Sequence, residues 1–256
     1  MSQTQTSSYT GGAISPDAGD FAITITTNNG QTLAYHLQSG DVATAVSDPT
    51  NVGSYDVVLT DAGKDHIKGL NANYNYRFAD SHGTLEITQA RATATLSGQG
   101  TRVYNGSAVT VDDLNRSDAN NNITLTLHYP KNGDANYSET VQLTADDFVW
   151  NTPDGNAPVN ANSTAYTISL KSSIIKALLE NAAGKGQDNV ANVTVADSAI
   201  TGSASYKITP LEATATLGNI GNYGKTYDAT STNTIDPTKL QFTTTVNGKT
   251  VVLNAN

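Results

Sequence analysis

An all-β protein made of tandem sandwich repeats is what this sequence predicts, and three observations predict it. The first is a recurring phrase. Ala92-Thr93-Ala94-Thr95-Leu96 and then Arg102-Val103-Tyr104-Asn105-Gly106-Ser107 return as Ala213-Thr214-Ala215-Thr216-Leu217 and then Lys225-Thr226-Tyr227-Asp228-Ala229-Thr230. Near the start, Ser8-Tyr9-Thr10-Gly11-Gly12 matches the tail of a third copy. Self-similarity at one domain's spacing marks a repeat architecture. The second observation is that Asn-Gly falls between paired strand-like runs at Asn29-Gly30, Asn132-Gly133 and Asn247-Gly248. Asn-Gly is a strong hairpin signal because both residues tolerate positive φ. The third is composition: Thr, Asn, Ser, Ala and Gly dominate, and only 14% of residues are charged. Strands and turns are favoured over long helices, which draw on Glu, Lys, Leu and Arg.

Charge and cysteine content bound the function. A net charge of -9 argues against nucleic acid, where a basic stripe is expected, and equally against an anionic membrane surface. Cysteine is absent, which suits either a cytosolic protein or a surface protein that is stabilised without disulfides. No run approaches the roughly 20 apolar residues that span a bilayer. Met1-Ser2-Gln3-Thr4-Gln5-Thr6 has neither a basic region nor an apolar stretch, so it is no signal peptide; if the protein is exported, the chain is expected to be an interior excerpt with an added start.

The first unit is expected over residues 1–90, without its opening strand. Phe21-Ala22-Ile23-Thr24-Ile25 alternates apolar and polar residues, the period of a half-buried strand. Asn29-Gly30 turns it into Thr32-Leu33-Ala34-Tyr35. Asp48-Pro49-Thr50-Asn51-Val52-Gly53 is a loop by its turn chemistry. Tyr55, Val57 and Leu59 face inward from the next strand. Asp61 to Leu70 forms one or two helical turns with Ile67 and Leu70 on one face, and Leu85 and Ile87 point to the core from the closing strand.

The second unit, 91–210, repeats this order in full. Ile123-Thr124-Leu125-Thr126-Leu127 matches the Phe21 strand, and Val141 and Leu143 carry the return strand. Tyr166-Thr167-Ile168-Ser169-Leu170 matches Tyr55 to Leu59. Ser172 is the expected N-cap of a helix through Leu179, and Ala204 to Thr209 closes the unit. The third unit, 211–256, restates the hairpin as Phe242 to Val246 and Thr250 to Leu253. It has too few strands to bury a core of its own. Seven or eight short strands per unit with one helical turn make an immunoglobulin-like sandwich the expected fold. The junctions Thr88-Gln89-Ala90-Arg91 and Thr209-Pro210-Leu211-Glu212 are short and lack Gly/Ser runs. A semi-rigid, extended, monomeric array follows from that.

A strand ending Ile208-Thr209-Pro210, then Ala213-Thr214-Ala215-Thr216-Leu217, then a basic residue before Tyr-Asn-Gly or Tyr-Asp-Ala carries a resemblance. The chain resembles the mostly-beta glycine-rich (MBG-type) repeats of cell-wall-anchored surface proteins of lactobacilli and related Gram-positive bacteria. It is similar in particular to the repeats of their cell- and mucus-binding adhesins. Ala229, where Gly is usual, and Gln89, where Pro is usual, depart from that pattern. The resemblance implies extracellular display on an anchored parent protein, with mucin or another host glycoprotein as partner. The same repeats resemble spacer regions of other anchored proteins and accessory regions of secreted polysaccharide-forming enzymes.

Catalytic chemistry finds little to stand on. His36, His66, His82 and His128 lie on different elements, and a zinc site needs three or four convergent ligands. No phosphate loop, nucleophile elbow or His-Glu-x-x-His occurs. Glu86, Glu139, Glu180 and Glu212 are too scattered for a glycosidase pair. Asp118 to Asn122 only loosely fits the alternating carboxylates of a calcium loop. An intramolecular isopeptide bond needs a buried neutral Lys, and no Lys is shared by all units. The sequence therefore predicts no enzyme, no metal and no cofactor. The candidate ligand surface is where the copies differ: Phe148, Trp150, Asn151 and Asp154. Trp150 could stack on a sugar face while Asn151 and Asp154 bond its hydroxyls. Its alternation with Phe148 favours instead a plug in the sandwich core. Tyr104 and Tyr227 read as ring-in, hydroxyl-out residues beside a turn.

Overall fold

The computed structural model describes residues 3–79, 82–212, 216–217, 226–227, 229–230, 241–246 and 249–254. The first third carries β1 (Thr4–Ser8), β2 (Ala22–Thr26), β3 (Thr32–His36), β4 (Val42–Thr44), β5 (Gly53–Leu59), α1 (Asp61–Gly69) and β6 (Gly83–Thr88). Next come β7 (Ala90–Arg91), β8 (Thr93–Ser97), β9 (Gln99–Val103), α2 (Val111–Asn115), β10 (Thr124–His128) and β11 (Ser138–Val141). They are followed by β12 (Phe148–Trp150), β13 (Tyr166–Leu170), α3 (Ser172–Ala182), β14 (Val193–Thr194) and β15 (Ile200–Thr209). The last stretch holds β16 (Thr216–Leu217), β17 (Gln241–Val246) and β18 (Lys249–Asn254). The protein is all-β with short helical insertions.

In the second unit one long strand belongs to both layers of the sandwich. The first half of β15 runs parallel to β8, which continues antiparallel to β10 and then β11. Its second half lies between antiparallel β13, followed by β12, and parallel β9. Gly202 stands where the strand passes from one layer to the other, at φ +81°. A Cβ there would come within 2.1 Å of the Leu96 carbonyl oxygen. A strand that switches layers needs such a bend, and only glycine accepts both the angle and the approach. Ala94, Leu96, Leu125 and Leu127 from one layer and Trp150, Ile168, Tyr206 and Ile208 from the other are buried in the core, with Ile175 and Leu179 of α3. Each such large side chain contributes about 1.5–3 kcal/mol on burial.

The first unit repeats half of this plan closely. Its sheet has the order β1-β6-β5-β4, with β1 parallel to β6 as β9 is to β15. The polar start of the chain thus forms a strand. Its side chains alternate between exposed and half-buried, so no apolar period betrays it. β1 is the counterpart of β9, and among the described residues there is no counterpart of β8, the strand of the opening phrase. Accordingly β2 and β3 pair only with each other.

Local details depart from expectation for physical reasons. Lys131-Asn132-Gly133-Asp134 is the expected two-residue turn, with Asn132 and Gly133 at φ +54° and +84°. Around Asn29-Gly30 only the glycine is left-handed. There the Gly30 N–H bonds Thr27 O and the Thr27 N–H bonds Gln31 O, a three-residue loop ended by glycine. The turn at 247–248 lies outside the described residues. Thr60 caps α1 by accepting from the Gly63 N–H, and Ile67 is buried. Leu70, the C-cap residue of α1, is 44% exposed. In α3, Lys171 takes the N-cap position and Ser172 is already helical. Tyr227, expected to tuck in its ring, is 91% exposed. In the third unit the described strands form one three-stranded sheet, β16-β17-β18.

The first and second units meet in a hydrogen-bonded seam. β7, in the junction itself, pairs parallel to β14. Asn192 is fully buried: its Oδ1 accepts from the Val52 N–H at 2.9 Å, and its Nδ2 donates to Asn51 Oδ1 at 2.8 Å and to Ala183 O at 3.2 Å. The Tyr9 hydroxyl donates to Ala183 O at 2.8 Å. Gly133 N–H donates to Thr10 O, and a Cβ on Gly11 would fall 2.5 Å from the Lys131 Cα.

Candidate binding surface

The four sequence-nominated residues do not share one surface. Phe148 and Trp150 alternate with exposed Val149 on β12 and are 7% and 6% exposed. Their rings meet edge-to-face at 5.9 Å, and Trp150 meets Tyr206 the same way at 6.4 Å. The indole is packed in the core and presents no free face for stacking. Asn151 is exposed but engaged: its N–H donates to Thr167 O at 3.0 Å, and its Oδ1 accepts from the Thr167 N–H at 2.8 Å. Asp154 is exposed and accepts from the Asn156 side-chain amide at 2.7 Å and its backbone N–H at 3.1 Å. Those bonds, the side-chain one first, hold its carboxyl below the usual range. Of the set, Asn151 and Asp154 reach solvent at the end of β12.

Two buried aspartates escaped the sequence reading. Asp41 is 0% exposed, just ahead of β4. Its Oδ2 accepts from the Gln38 N–H at 2.8 Å and the Tyr35 hydroxyl at 2.9 Å, and His66 Nδ1 lies 2.6 Å from Oδ1. Burial alone would raise its pKa, but Gln38, His66 and Tyr35 together hold it lowered. Asp147, at the same place ahead of β12, accepts from the Thr144 N–H. In both units the aspartate closes the turn that leads into the edge strand. The shared signal was an Asp followed by an apolar strand, and it was hidden among solvated aspartates.

Beside the 131–134 turn, Lys131 Nζ lies 4.6 Å from the Tyr137 ring centre and donates to the Tyr129 hydroxyl at 3.3 Å. The Tyr129 and Tyr137 hydroxyls donate to Glu139 at 2.7 and 3.1 Å. Tyr129, and after it Tyr137, raises the Lys131 pKa, and Tyr129 foremost lowers that of Glu139. The cluster is fully paired and braces the turn that meets Thr10. Asp118 accepts from the Asn120 N–H and pairs with Arg116 at 3.3 Å. Among the described residues no three His, Asp or Glu side chains converge as a metal site requires.

The first unit also contains an open cleft of about 1070 Å³ between β2 and the segment Asn73–Ala79. Ile23, Ile25, Leu59, Ile67, Tyr76 and Phe78 line its apolar floor. The Tyr76 hydroxyl is buried there with no hydrogen-bond partner among the described residues. Tyr74, Tyr76 and Phe78 within five residues were the signal that the sequence reading passed over.

The layer β9-β15-β13-β12 recurs in the first unit as β1-β6-β5-β4, which defines a repeat module, and the chain belongs to the MBG domain family. That family matches residues 1–89 and 91–210. Among solved structures the chain is similar to a cell surface adhesin from Lactobacillus reuteri, with 26% identity over 46% of this chain and 97% of that one and a TM-score of 0.25. No curated protein matches the chain. No helix among the described residues is long and apolar enough to cross a membrane.

Proposed function

We propose that the chain is part of the repeat region of a bacterial cell-surface adhesin, a non-enzymatic array displayed outside the cell by a wall-anchored parent. In this reading 1–90, 91–210 and 211–256 are successive repeats. They contribute weak binding to mucin or another host glycoprotein, which copy number multiplies. The observation that carries it is the pair of MBG units docked through the Asn192 seam, a geometry suited to extension and display. The reachable polar groups at the end of β12, Asn151 and Asp154, are the contact candidates, with Phe148 and Trp150 holding that strand in place.

A second reading, a purely structural stalk, is favoured by the burial of Trp150, the residue best suited to sugar stacking. A mucin and glycan binding screen on the intact chain separates the two. The adhesin reading expects binding that the Asn151→Ala/Asp154→Ala double variant weakens by about 1–2 kcal/mol, with an unchanged melting profile. If the intact chain does not bind while a longer chain does, these repeats are a stalk.

A further inference from the structure

The chain shows twice what covers a hairpin like β2–β3. In the second unit β8 lies along the outer edge of β10, with Leu96 opposite Leu125 and Thr95 opposite Thr126. In the third, β16 takes the same place on β17, with Leu217 opposite Phe242 and Thr216 opposite Thr243. Both covering strands belong to the Ala-Thr-Ala-Thr-Leu phrase. In the first unit, among the described residues, the corresponding edge of β2 has no strand on it.

The consequences of that open edge are visible in the side chains. Leu125 and Leu127 are fully buried, whereas their counterparts Ile23 and Ile25 are only half-buried at the cleft. The Thr27 N–H points to β3, where it bonds Gln31 O. The alternation of an antiparallel ladder therefore turns the backbone groups of Ala22, Thr24 and Thr26 toward the open side. The Ala22 N–H is taken by the Gln3 side-chain oxygen, not by a strand. Unpaired edge groups above an apolar floor are what a strand addition satisfies.

We infer that the cleft beside β2 is a strand-acceptor site, and that its occupant is an extended peptide of the Ala92–Ser97 pattern, the opening strand of a repeat unit. Its leucine seats opposite Ile23, its second threonine opposite Thr24 and its second alanine opposite Ile25. The Ala and Leu side chains cover Ile23 and Ile25, as Ala94 and Leu96 help bury Leu125 and Leu127. The threonines face outward, as Thr93 and Thr95 do in β8. Specificity comes from alternation: a one-residue slip would turn the threonines into the apolar floor.

The test uses the full chain with the peptide Ala-Thr-Ala-Thr-Leu-Ser, supplied free or grafted ahead of Gln3 in place of Met1-Ser2. Amide hydrogen exchange and methyl spectra are the readouts. The graft is expected to slow exchange at Thr24 and Thr26 at least tenfold and to shift the Ile23 and Ile25 methyl signals. Free peptide should move the same signals at high concentration. A graft carrying the Leu96→Asp change should do neither. The inference is overturned if the Thr24 and Thr26 amides stay unprotected, or if the Asp-bearing graft protects them equally. It also fails if a mucin oligosaccharide perturbs Ile23, Ile25 and Tyr76 while the graft does not, which would make the cleft a sugar site. Dimerisation through the β2 edge that the graft leaves intact would overturn it as well. None of these outcomes depends on whether the repeats bind host glycoprotein.

Discussion

Asp41 puts a carboxylate where solvent does not reach, and its partners decide at what pH the fold tolerates that. Its folded pKa lies below the ordinary carboxylate value, so it stabilises the folded state fully above its unfolded pKa. That contribution is lost as pH falls through the folded pKa. Glu139 has the same sign, its lowered pKa due first to Tyr129. Stability from these two groups is therefore level above about pH 5 and declines below the unfolded carboxylate values near 4. Denaturant titrations from pH 7 to 2.5 should show this acid limb. In Asp41→Asn the limb should be shallower, by roughly one proton fewer taken up on unfolding. At the same scale, Ala229 occupies the place of Gly106 in the repeated phrase and keeps a left-handed backbone, φ +57° against +79°. The left-handed position is thus kept where its usual residue is not.

At the scale of elements, β15 does the most to set the architecture. It is the shared member of both layers, and its bend at Gly202 is pressed against β8. Gly202→Ala should destabilise the second unit by more than about 2 kcal/mol, from left-handed strain plus the clash with Leu96 O. Differential scanning calorimetry on the full chain would detect it as an early transition of that unit. The strands with a two-residue apolar period, β5, β6, β10 and β13, were legible in the sequence, as were the hairpins and the first and third helices. The parallel pairings were not, because periodicity reports which face is buried and is silent on which strand lies alongside. β1 was illegible because Thr-Gln-Thr-Ser-Ser buries little. The Trp150 alternatives could be posed from sequence, but only the packing of Phe148 and Tyr206 around the indole shows which way it faces.

At the scale of the whole molecule, the seam between the first and second units governs how the array holds its shape. The sequence indicated a short junction. It could not indicate that β7 would find β14, or that Asn192 would be enclosed by partners from both sides, since those contacts across the seam join residues far apart in the chain, 140 positions for Asn192 and Val52. Asn192→Ala removes three hydrogen bonds and leaves the Val52 N–H without its acceptor. It should cost about 2–3 kcal/mol. Small-angle scattering should then show a broader distribution of dimensions, and the units should melt in separate steps. If the variant keeps the wild-type scattering profile, the seam is held chiefly by β7 and β14.

The parallel alignment of β1 with β6 and of β9 with β15 has a mechanical meaning. β1 and β6 lie parallel over five register pairs, as do β9 and the end of β15. A pull on the front of β1 and the back of β6 runs along the strands, in opposite directions, rather than peeling them apart. All the rungs between them then carry the tension together, and none can rupture without its neighbours yielding. A module tied in this way is a shear clamp, built to resist force applied between its two ends.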